Sequence, residues 1–247
     1  MSSFLSLPRE LRDQIYELCL LHQDLLDPWH NQSQEITTGV LCASTVVHRE
    51  ASTLFYGQNT FDFTAVTLEG VATFLQTIGN NAALIRHVHI DFPLFRTLGP
   101  SNITFDDTCI DILTNIQSAC ANIITLTTSL DSSNSMELTL DELDHPKVVT
   151  DALELVDRRF RASASLQEVT IELYEDGPDY GIRRKMESHG WKIHTTENVR
   201  EEELERPWSE IDYDDYVSRS ISGGYYDDDY DDYDIDNDSD FWRRAAD

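Results

Sequence analysis

Along residues 7–18 the apolar positions Leu7, Leu11, Ile15 and Leu18 fall every three to four residues, which predicts a helix with one apolar stripe. Pro8 suits its first turn, where a missing N–H costs nothing. Residues 22–38 are polar, hold Pro28 and Asn31 and run up to Gly39, so they read as a loop. A second helix is expected over 40–56, with Leu41, Val47, Ala51, Leu54 and Phe55 on its apolar side and Gly57 as its stop. The chain then alternates. A short strand at 60–63 precedes a helix that Thr67 caps, whose Leu68, Val71, Leu75 and Ile78 face one way and which ends at Gly79. Strands are predicted at 85–92, 123–130, 166–174 and 191–195. Helices at 106–120, 147–161 and 180–188 lie between them, and Gly190 breaks the last.

Three of these strands share a word. Ile85-x-x-Val88-x-Ile90, Ile123-x-x-Leu126-x-Thr128 and Leu166-x-x-Val169-x-Ile171 each follow an amphipathic helix. A helix–strand unit that buries one face on its neighbours is the logic of a solenoid or an open parallel sheet. The expected fold class is therefore mixed α/β. It divides into a helical segment at 1–63, irregular leucine-rich-repeat-like helix–strand units at 64–200, and a tail at 201–247.

The charge is uneven. Of 46 acids and 18 bases in 247 residues, 18 acids and only 4 arginines lie in 201–247, half of the net charge of -28. That tail is rich in Asp and Tyr and poor in aliphatics, so it is expected to be disordered. An excess of acids argues against nucleic acid or an anionic membrane as partner, since both need clustered Lys and Arg. No stretch reaches the roughly 18 apolar residues of a membrane-spanning helix, and the first residues lack the pattern of a signal peptide. The widely spaced Cys19, Cys42, Cys109 and Cys120 read as reduced thiols, which places the chain in cytoplasm or nucleus.

No catalytic constellation stands out. The chain has no glycine-rich phosphate loop, no Gly-x-Ser-x-Gly elbow and no His-Glu-x-x-His word. His48 and Glu50 sit at helix positions that point apart. His87 and His89 share a strand face but have no cysteine or carboxylate at ligand spacing, so they read as exposed strand histidines. Cys109 and Cys120 suit a helix interior. No catalytic residue, cofactor or metal is expected.

The first 63 residues carry a resemblance. Phe4-x-x-Leu7-Pro8-x-Glu10-Leu11-Arg12-x-x-Ile15-Tyr16 resembles the F-box motif, most closely the fungal F-box-like domains with Glu-x-Arg after Leu-Pro. Two later words fit the same group: Leu41-Cys42-Ala43-Ser44 leading to His48-Arg49-Glu50-Ala51, and Tyr56-Gly57-Gln58-Asn59-Thr60-Phe61. The resemblance implies an adaptor without catalysis of its own. Such a protein docks on Skp1 of a cullin–RING ubiquitin ligase and holds a protein substrate with its C-terminal region. The positions matching the family's docking residues are Leu7, Pro8, Leu11, Ile15, Leu41 and Val47. Apart from the resemblance, the residues also fit a stand-alone interaction module with no ligase role.

Overall fold

Local capping chemistry sets most helix starts. In the computed structural model, which describes residues 4–29, 38–64, 66–130, 146–174 and 178–196, Pro8 leads into helix α1, Arg9–Leu20. The expected helix at 40–56 is two pieces, a 3-10 turn at Thr38–Cys42 and α2 at Thr45–Gln58. The break falls where the Ser44 side chain accepts from the Val47 N–H and so restarts the helix. Gly57 does not stop α2. The chain leaves it at Asn59, whose side chain takes up the Phe55 carbonyl. The Thr67 hydroxyl accepts from Gly70 N–H at the start of α3, Leu68–Ile78, and Gly79 ends it with φ +55°. Asp106 caps α4, Asp107–Ala119, by accepting from Thr108 and Cys109. Helices α5, Pro146–Phe160, and α6, Tyr180–Ser188, follow, and Gly190 turns the chain at φ +81°.

Among the described residues five strands form one parallel sheet: β1 Thr60–Asp62, β2 His87–Asp91, β5 Thr125–Ser129, β6 Glu168–Tyr174 and β7 Lys192–Thr196, side by side in chain order. A mixed fold of helices and a mostly parallel sheet is the result. The shared word is in register: Val88 pairs with Leu126 and Leu126 with Val169, while Ile90 pairs with Thr128 and Thr128 with Ile171. One pairing goes beyond what the linear pattern predicts, the antiparallel hairpin β3 Phe95–Gly99 with β4 Asn102–Phe105. Its ends are held by the stacked rings of Phe95 and Phe105, with centroids 4.9 Å apart.

Strand order equal to chain order, with crossovers of one hand, puts every crossover helix on the same side of a sheet. The burial pattern agrees. Phe61, Val88, Ile90, Leu126, Thr128, Val169, Ile171 and Leu173 are all buried, and the apolar ones form one core with Val71 and Leu75 of α3, Leu113 and Ile116 of α4, Leu153 and Val156 of α5, and Met186 of α6. The alternate residues of the strands form the opposite face. They are Thr60, Asp62, His87, His89, Asp91, Thr125, Thr127, Ser129, Glu168, Thr170, Glu172, Lys192 and His194, and all but His89 reach solvent. Parallel sheets are ordinarily covered on both faces. This one presents a polar face.

The described residues belong to one compact unit, Met1–Asn198. The 1–63 segment is joined to the rest through β1, which pairs with β2, and through Leu26, whose N–H and carbonyl bond to Thr60 and Asp62. The expected acidic tail and residues 30–37 of the expected loop lie outside the described residues. No described helix is long and apolar enough to cross a membrane.

Candidate functional site

The orientation of α1 is fixed by a charged contact between two of the words quoted above. Arg12 from Glu-Leu-Arg donates to both oxygens of Glu50 from His-Arg-Glu-Ala, at 2.9 and 2.7 Å, and its third nitrogen donates to the Leu7 carbonyl at 2.6 Å. The Tyr16 hydroxyl donates to the same carboxylate at 3.0 Å, and Arg9 stands 3.3 Å from it. A bidentate guanidinium–carboxylate pair holds direction as well as charge. The Arg12 guanidinium, helped by Tyr16 and Arg9 and opposed by partial burial, holds the Glu50 carboxyl down at about 2.

Because this carboxyl lies below its ordinary 4.5 when folded, the stability it contributes is complete above that pH and is lost as pH falls toward 2. We expect the gap in melting temperature between wild type and Glu50→Gln to be widest near pH 7 and to narrow as pH falls below 4.5 toward 2. Subtracting the variant removes the other carboxylates from the comparison. A gap independent of pH would rule the linkage out.

With Arg12, Tyr16 and Leu20 turned inward, the apolar stripe of α1 is turned out. Leu11 is 45% exposed, Ile15 38% and Leu18 88%, while Leu7 is half-buried and Pro8 exposed. Phe4 and Leu5, in the 3-10 turn before α1, are also exposed, with the Phe4 ring edge-on to Tyr16 at 5.8 Å. Leu41 is half-buried, packs against the core and borders an open groove along α2 with His48 and Ser52. Val47 is separate from this surface: it is buried in the core and holds α2 in place, whereas its neighbour Val46 is exposed. Of the six candidate positions, Leu7, Pro8, Leu11 and Ile15 share α1 and the turn leading into it.

The strand histidines differ from expectation. His89 is buried because side chains from other strands close on it, which no linear spacing reveals. Its Nδ1 lies 3.2 Å from Asp62 Oδ1 on β1, and its Nε2 lies 3.7 Å from Glu172 Oε2 on β6. Burial works to raise the Asp62 carboxyl, but hydrogen bonds from His89 and from Thr64 outweigh it and hold the group below its ordinary value. Among the described residues no group of three or more His, Cys, Asp or Glu is placed for a metal. Burial pushes the Cys120 thiol up to about 12 and also raises Cys109, which leaves both poor nucleophiles at neutral pH.

No protein-family model, curated protein or solved structure matches the chain.

Proposed function

We propose that the protein is an F-box-like adaptor that docks on Skp1 of a cullin–RING ubiquitin ligase through α1, presents a protein substrate with the rest of the chain, and has no catalysis of its own. The observation that carries the reading is the outward stripe of α1. A helix whose apolar side chains point away from its own body, while a bidentate ion pair fixes it on the other side, is suited to lie in the groove of a partner. The half-buried Leu41 packs against the core and borders a groove along α2.

The test uses the purified full-length chain and Skp1. Wild type is expected to retain Skp1 at micromolar concentration. Leu11→Ala/Ile15→Ala is expected to weaken retention at least thirtyfold, as truncated interface anchors typically do. These two positions are preferred over Pro8, which also sets the start of α1. Both side chains reach solvent, so circular dichroism should be unchanged and the melting temperature should fall only a little. A wild-type chain that fails to retain Skp1, or a double variant that retains it as well as wild type, overturns the docking. The chain then reads as a stand-alone interaction module.

A further inference from the structure

We propose that the polar face of the parallel sheet docks a Lys- or Arg-bearing segment of a partner protein, with His89 and Glu172 at its centre. The face is open in the described residues and spans all five strands. Its charges are Asp62, Asp91, Glu168 and Glu172 against Lys192, an acidic surplus when the histidines are neutral. Lys192 is already held by Glu168 at 2.6 Å.

Among the described residues the centre of the face lacks a donor when His89 is neutral. A carboxylate only accepts, so the contact with Asp62 puts the proton of neutral His89 on Nδ1. Nε2 is then a lone pair. It is buried, it has no hydrogen-bond partner among the described residues, and the group it faces is another acceptor, Glu172 Oε2, at a distance too long for a hydrogen bond. His89 from β2 and Glu172 from β6 lean toward each other over the short side chains Thr127 and Ser129 of β5. Two acceptors 3.7 Å apart are bridged by one N–H-bearing cation about 2.9 Å from each. The Glu172 side chain is 39% exposed, so the pair is reached from its side of the face. An unpaired buried acceptor is costly, so a donor supplied by a partner gains more here than at an ordinary surface carboxylate. A metal ion fits less well. Among the described residues no third ligand is assembled, and Asp62 Oδ1 already accepts from His89 and from the N–H and hydroxyl of Thr64.

The proposal rests on the adaptor reading only for the partner's role as substrate. Its test contains no Skp1, so either reading can fail without the other. The probe is a fluorescein-labelled ten-residue peptide of alternating arginine and serine, titrated with the full-length chain at physiological salt and followed by anisotropy. Glu168→Gln/Glu172→Gln is expected to weaken binding about tenfold. Asp111→Asn/Asp151→Asn removes the same charge from exposed positions on the helical side and is expected to change it less than about twofold. All four positions reach solvent, so neither pair should perturb folding. Equal losses in the two pairs would show attraction to the chain's overall acidity and would overturn the proposal. So would an absence of binding by wild type, or binding abolished by EDTA, which would put a metal at the centre of the face.

Discussion

Phe160→Ala is expected to cost about 3–5 kcal/mol, a large share of the roughly 5–15 kcal/mol that separates folded from unfolded protein. Phe160 ends α5 and is fully buried. Its ring meets Phe92, just past β2, edge-on at 6.4 Å, and Trp191, just before β7, at 5.8 Å. Both neighbours are themselves buried, and each adjoins a strand held in register by the sheet. Trp191 is further tied by its indole N–H to Asp157 at 2.8 Å. Partners fixed in this way relax little into the space a truncation leaves, which is the condition under which cavity costs reach the upper end of their range. Urea unfolding should show the midpoint moving down with an unchanged slope. Phe160→Leu, which leaves a smaller void, should lose less than half as much. A Phe160→Ala cost below about 1 kcal/mol would mean that the end of α5 is not packed as described.

What the sequence revealed and what it concealed divide by the range of the interaction. Thr67, Asp106, Gly79 and Gly190 marked their boundaries because a cap or a positive φ is decided within a few residues. The word shared by three strands was legible for the same reason, and register then placed its positions side by side. Gly57 misled because the side chain that releases α2 is that of Asn59, whose other contacts lie 39 and 37 residues back at Leu20 and His22. The hairpin at 95–105 has a turn signal in Gly99-Pro100-Ser101-Asn102, but its strands are short and lack clear alternation. The stripe of α1 was visible as a pattern. Which way it faced was not, since that depends on Arg12 reaching Glu50 across 38 residues. The polar face was hidden in a similar way. Alternation in His87-Val88-His89-Ile90-Asp91 shows a strand with two unlike sides, yet only strand order shows that the polar sides join and that Asp62 and Glu172 converge on His89.

Asn59 ties the end of the proposed docking helix to the end of α2, and Asn59→Asp is expected to destabilise the chain by about 3 kcal/mol or more at neutral pH. Asn59 is buried between the ends of α1 and α2, one residue before β1. Its amide nitrogen donates to the carbonyls of Leu20 at 2.8 Å and Phe55 at 2.9 Å, and its oxygen accepts from the His22 N–H at 2.8 Å. Two acceptors and one donor around a single side chain match the amide and no other group of that size. Aspartate keeps the bond from His22 but turns an oxygen toward two carbonyls, which replaces two hydrogen bonds with repulsion in a buried place. Asn59→Ala leaves the same backbone groups unpaired without adding charge, so it should cost less than Asn59→Asp. Glutamine has the right groups on a stem one methylene too long, and Asn59→Gln should also be destabilising. Because the lost bonds tie α1 to α2, any variant that remains folded should hold α1 less firmly and bind Skp1 more weakly, even though Asn59 lies in the interior. Urea unfolding of the three variants, read beside Skp1 retention, checks both statements. An aspartate variant within about 1 kcal/mol of wild type would show that the ends of the two helices are joined by something other than this amide.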